Sequence, residues 1–229
     1  MKVLWIAGLP EEVRMAHPMT DVRSAAWSWV MGSLPPPEDV ELHVVCPVFG
    51  MREREAHFDY AGAHWHCFRL KRFEPLFLRR RFARQIRPLV RKLKPDVVHG
   101  WGGESGCGLV ATYLSKRAVV SVQGLLRMLK IGMRKWKVES SPDERGVGYW
   151  LRCRMEAMTY RRARRLICES EAAQSWLKAC YGREAEIVPY PLRKEFLGRG
   201  RRSGPTVEGG RGLGRRVLFV GQEVPRKGG

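Results

Sequence analysis

The chain has 229 residues, 44% hydrophobic and 28% charged: enough apolar side chain for a real core, and too much for a disordered polymer. Its 42 Lys and Arg against 23 Asp and Glu give a net charge of +19, which predicts attraction to anionic partners and says nothing about fold. The charge is uneven, at −4 over residues 1–68, +10 over 69–94 and +13 over 95–229, and this argues against a uniform nucleic-acid binder. No apolar stretch approaches the length of a membrane span, and the first apolar run meets Glu11 and Glu12 too early for a secretory signal. Six cysteines form no CxxC pair, several sit in apolar runs as buried free thiols do, and the set reads as belonging to a reducing, cytosolic compartment.

In chain order, short apolar runs recur with polar, Gly or Pro punctuation. They are Lys2–Ala7, Val40–Cys46, His64–Phe68, Asp96–His99, Ala118–Val122, Arg165–Cys168 and Glu186–Val188. Runs of this length, rich in β-branched residues, predict buried parallel strands. Stretches of helical period lie between them. Leu76–Leu93 carries Phe82, Ile86, Leu89, Val90 and Leu93 on one stripe, and Lys94-Pro95 stops it. Gly106–Leu114, Tyr149–Ala163 and Ser170–Cys180 are three further helices. Strands alternating with helices predict an α/β fold with a doubly wound, Rossmann-like parallel sheet over residues 1–197. Gly198–Arg216 is rich in Gly and Arg without apolar period, and predicts a linker. Val217–Gly221 is a clean strand that cannot stand alone, so residues 217–229 read as the opening of a second domain whose remainder is absent.

Four segments carry a resemblance. Lys94-Pro95-Asp96-Val97-Val98-His99 leads into Gly100-Trp101-Gly102-Gly103-Glu104. Val119-Val120-Ser121-Val122 ends in Gln123-Gly124. Arg165–Ser170 is followed by Ile187-Val188-Pro189-Tyr190-Pro191. Val217–Gly221 runs on to Pro225-Arg226-Lys227-Gly228. In this order and spacing they resemble the family 4 glycosyltransferases, whose GT-B fold sets two Rossmann-like domains across a cleft. The resemblance covers most of the chain. It implies an acceptor-side first domain, and a donor-binding second domain cut off after one strand. It also implies retaining transfer from a nucleotide-diphosphate sugar to a glycan or lipid-linked acceptor, as in cell-surface polysaccharide synthesis. The bare chain is expected to be inactive. The departures are a single glycine after the first strand, Gln123 where the family often has His, and Gln222 where it usually has Arg.

The resemblance assigns the donor phosphates to Lys227 and Gly221, and Arg226 joins them by charge and adjacency. Cations there would stabilise charge on the leaving group. The candidate catalytic set is Gln123, Glu104 and His99: the Gln123 amide can donate to a sugar hydroxyl or carbonyl, and Glu104 can accept from hydroxyls. Trp101 and Gly124 are assigned to the acceptor, with Trp101 offering a face for a sugar ring. No metal or further cofactor is expected. His64 and His66 share one face of a strand but lack third and fourth ligands, and Gly100–Gly108 lacks the GxGxxG order. Arg79, Arg80, Arg81, Arg84, Arg87 and Arg91 cover the polar side of the 76–93 helix. They read as a solvated face, or as a contact with anionic lipid that would place the protein at the inner face of the membrane. Two other readings stay open beside the enzyme: a non-catalytic domain binding a glycan or a partner, and a basic nucleic-acid binder, for which +19 is the sole support.

Overall fold

The computed structural model describes residues 1–17, 36–71, 77–135 and 146–189. In chain order its elements are β1 (Lys2–Ile6), α1 (Glu11–Ala16), β2 (Glu41–Val48), β3 (Glu55–Tyr60), β4 (Ala63–Arg69), α2 (Arg80–Leu93), β5 (Val97–Trp101), α3 (Cys107–Leu114), β6 (Val119–Val122), α4 (Leu126–Lys135), α5 (Gly146–Arg162), β7 (Arg165–Cys168), α6 (Glu171–Tyr181) and β8 (Glu186–Ile187). The strands form one sheet in the order β3-β4-β2-β1-β5-β6-β7-β8. Every pairing is parallel except β3 against β4. All seven predicted runs are strands of this sheet, which is the expected doubly wound α/β architecture.

Both faces of the sheet are covered. One buries Val3, Val44, Cys46, Trp65 and Trp101 with Val13 of α1. The other buries Leu4, Ile6, Val45 and Phe68 against Phe82 and Ile86 of α2 and Val110 of α3. Toward β7 the core continues through Val120, Leu166, Tyr160 and Leu177. Full burial of side chains such as Phe82 and Ile86 stabilises by about 1.5–3 kcal/mol each. Helix α3 sits close on the sheet because glycines face each other: a Cβ on Gly100 would lie 2.5 Å from the Gly108 Cα.

Three details depart from the expectation. Strand β3 was not foreseen, because Glu55–Tyr60 alternates polar and apolar residues at the sheet edge and holds no apolar run. It joins β4 through Ala61-Gly62, both at positive φ (51° and 76°), the two-residue turn that matches strand twist. Strand β2 passes through Pro47 to Val48. The Pro47 nitrogen faces the same side as the Val45 carbonyl, which accepts from Ala7, and β1 has ended by that point, so the missing N–H leaves no gap in the ladder. Helix α2 begins at Arg80, after Leu78 and Arg79 in the left-handed region. Arg79 does not belong to the predicted solvent face: it is spaced three, four and seven residues from the buried Phe82, Ala83 and Ile86. It is 8% exposed, and its Nη2 donates to the Ser105 carbonyl at 3.0 Å. The predicted linker 198–216 and strand 217–220 lie outside the described residues.

Candidate functional site

Strand β1 pairs β2 on one side and β5 on the other, so the chain's strand order reverses there. In open α/β sheets ligands bind outside the carboxyl ends of strands at such a reversal. The loops on that edge are Gly8-Leu9-Pro10 after β1, Gly102–Gly106 after β5, Gln123-Gly124-Leu125 after β6 and Glu169-Ser170 after β7. They bring Trp101, Glu104, Gln123 and Gly124 together, and they add Glu169.

The Glu104 carboxylate folds back over its own loop. Its Oε1 lies 2.7 Å from where a Gly102 Cβ would be, and its Cδ is 3.9 Å from the Gly124 Cβ position. Gly102, at φ 78°, favours glycine by its backbone, while a Cβ at Gly124 would make only ordinary contact with the carboxylate. Burial pushes the Glu104 carboxyl up from 4.5 to about 7, and the nearby Glu156 carboxylate adds to the shift. Three acceptor oxygens at this edge, Glu104 Oε2, Gln123 Oε1 and Glu169 Oε2, are buried without a hydrogen-bond partner among the described residues. Glu169 is also shifted upward by burial. Two cavities adjoin Glu169, one of them also Gln123, and Glu104 lines neither. One of about 210 Å³ is lined by Gln123, Gly124, Met128, Glu169, Ser170 and Trp176. The other, about 90 Å³, is bounded by Trp101, Ser121, Glu169 and Pro189.

His99 and Trp101 lie one layer deeper. His99 Nε2 is 2.7 Å from Ser121 Oγ, and burial lowers the imidazole to about 4, so it is neutral at physiological pH. Trp101 is 6% exposed, with one face stacked on His99 at 4.8 Å and an edge contact to Trp5 at 5.1 Å. Trp101 also lines the smaller cavity.

The scaffold comes from α5, which no sequence motif marked. Tyr160 presses against Gly103, where a Cβ would meet its ring at 2.7 Å, and its hydroxyl donates to the Gly124 carbonyl at 3.0 Å. Glu156 is fully buried and accepts from the backbone N–H of Leu126 at 2.8 Å and of Arg127 at 3.4 Å. Tyr181 donates to the same carboxylate. Glu156 thus caps α4, while burial pushes its carboxyl above the usual carboxylate range.

The profile of Glycosyltransferase Family 4 matches residues 36–192, more than half of the chain. The chain belongs to glycosyltransferase family 4. A solved structure of sucrose-phosphate synthase from Thermosynechococcus elongatus shares the fold at TM-score 0.55 and 13% identity, covering 84% of this chain and 48% of the synthase. A second structure of that enzyme, covering 86% of this chain and 92% of its own, is similar at TM-score 0.49 and 10% identity. At 13% identity the first of these likenesses speaks for the fold alone. The chain spans about half the length of the synthase. No curated protein matches it.

In this family 4 chain the predicted Glu104, Gln123, Gly124 and Trp101 form one edge, with His99 behind them. The donor-side candidates Gly221, Arg226 and Lys227 lie outside the described residues. Glu169, Glu156 and Tyr160 escaped sequence reasoning. Glu169 directly follows a predicted strand, as Gln123 does, and that position was the available signal. No described helix is long and apolar enough to cross a membrane.

Proposed function

We propose that the chain is the acceptor-side half of a retaining sugar transferase, which moves a sugar from a nucleotide-diphosphate donor to a glycan or lipid-linked acceptor. The observation that carries this reading is the set of three buried, unpartnered acceptor oxygens at one edge. A buried polar group left unpaired costs about 1–3 kcal/mol, so three together mark a place built for donors supplied from outside. Sugar hydroxyls are such donors. In this reading Glu104 and Glu169 accept from acceptor hydroxyls, Gln123 orients the sugar near the reacting carbon, and His99 stays neutral and holds Trp101 in place. Gly124 lets the acceptor approach the backbone. Lys227, Arg226 and Gly221 would hold the diphosphate as part of a complete second domain, with no metal required.

Two measurements test it. The bare chain should show no micromolar binding of a nucleotide sugar by calorimetry, since one or two charge-assisted contacts of about 1.5–3 kcal/mol each fall short of a base and ribose pocket. In an enzyme with a complete second domain, Gln123→Ala and Glu169→Gln should raise acceptor KM and leave donor affinity unchanged. A fall in donor affinity would reverse the assigned roles. No transfer by that enzyme would favour the non-catalytic binding reading.

The lipid-linked acceptor has separate support. Arg80, Arg81, Arg84, Arg87 and Arg91 are exposed on α2. A cavity of about 430 Å³ beside them is lined, among the described residues, by Arg54, Arg69, Leu70, Lys71, Arg81, Arg84 and Gln85. Cations near an anionic leaflet contribute about 1 kcal/mol each. The enzyme would work in the cytoplasm, at the inner face of the membrane.

A further inference from the structure

Strand pairing assembles a ligand set that spacing along the chain does not reveal. The sheet register sets His43 of β2 beside His64 of β4, and His66 of β4 beside His57 of β3. Four of the six histidines thus share one face, near the start of β2 and away from the cavities at the strand carboxyl ends. One ligand atom from each of Glu41, His43 and His64 lies within 4.8 Å of the other two.

The partners of the two imidazoles are those of metal ligands. His64 Nδ1 is 2.6 Å from Asp59 Oδ1, which fixes the proton on Nδ1 and frees Nε2. His43 Nε2 faces Glu41 Oε1 at 2.8 Å, while its Nδ1 is 3.0 Å from His66 Nε2, whose own Nδ1 meets His57 at 2.8 Å. A histidine ligand characteristically gives its second N–H to a carboxylate or another acceptor, which fixes the ring and its tautomer. We infer that Glu41, His43 and His64 form a binding site for a divalent first-row cation of the zinc type, with Asp59 and His66 orienting the two imidazoles. Two imidazole nitrogens and one carboxylate suit Zn²⁺ or Co²⁺ rather than Mg²⁺ or Ca²⁺. Tetrahedral ligands around zinc stand roughly 3.3 Å apart, so the side chains must close in by about 1.5 Å. Glu41 and His64 are 48% and 45% exposed and free to do so. Lys2 Nζ, 3.1 Å from Glu41 Oε1, competes for that oxygen and must yield it. The bound ion would clip the β3–β4 hairpin to β2.

The test is a titration of the chelator-treated full chain with Co²⁺, followed by displacement with Zn²⁺. The expected result is one equivalent bound, visible d–d absorption of a nitrogen- and oxygen-ligated ion, no thiolate charge-transfer band, and a raised melting temperature. His64→Gln changes an exposed side chain and should weaken binding at least about tenfold, and Asp59→Asn by about 10-fold or more through the orienting bond. His17→Gln, a histidine outside the set, should leave it unchanged. No binding, a thiolate band pointing to the cysteines, or undiminished affinity in His64→Gln would each overturn the site.

Discussion

Replacing Glu104 by Gln keeps the side-chain shape and removes its ionisation. The native carboxyl titrates near 7 against an ordinary 4.5, mainly because burial disfavours the charged form. A folded-state value above the unfolded one means that the native state holds a proton which the unfolded chain has already released. That stability is fully present below about pH 4.5 and is lost as pH rises through about 7. Integrated between pH 5 and pH 8, the loss is about 2.5 kcal/mol, a large part of the 5–15 kcal/mol typical of a domain. The Gln variant does not share this loss. Urea unfolding at the two pH values should show the variant within about 0.5 kcal/mol of the parent at pH 5 and about 2–3 kcal/mol more stable at pH 8, with an unchanged m-value. In the enzyme with both domains the same substitution should impair use of the acceptor. A variant that is less stable at pH 8, or a pH-independent difference, would refute the buried carboxylate with one unpaired oxygen on which the site argument rests.

Gly100→Ala should destabilise by about 1–3 kcal/mol in thermal melts, because its Cβ would meet the Gly108 backbone rather than a flexible side chain. Tyr181→Phe should cost about 1–3 kcal/mol at neutral pH by denaturant titration, since it removes a donor from the buried Glu156 carboxylate. Replacing Arg80, Arg84, Arg87 and Arg91 together by Gln should weaken sedimentation with anionic liposomes, and so should salt, because a Debye length of about 10 Å at 0.1 M screens exposed charge. Equal binding of the parent to neutral and anionic liposomes would leave α2 with a solvated face only.

Apolar runs bounded by Gly and Pro were sufficient to place seven strands, because a strand buried on both faces needs little besides β-branched side chains. The same logic hid β3, whose alternating Glu55, His57 and Asp59 belong to a strand with one face in water. Helix α1 has six residues, too few to show a period. At the site, Glu104 and Gln123 were legible because each follows a strand end, where a loop side chain overlooks the sheet edge. Glu156 and Tyr160 were not, for their role depends on how α5 lies across two loops, and local sequence carries no record of that. Arg79 misled for a different reason. It stands three, four and seven residues before the buried Phe82, Ala83 and Ile86, so helical phase itself sets it on the buried stripe and not with the exposed arginines, and its guanidinium meets the Ser105 carbonyl.

Tyr160 ties together two parts of the site. Its ring bears on Gly103 and its hydroxyl holds the Gly124 carbonyl, so the loops after β5 and β6 are fastened to one rigid rod, α5. Neither loop can adjust to a ligand without moving the other, and neither can move without shifting a 17-residue helix packed on its neighbours. This edge of the sheet is therefore held stiffly. In the transferase proposed above, the closing motion that brings a donor within reach would come from a second domain, and a poorly fitting acceptor would meet a surface that gives little.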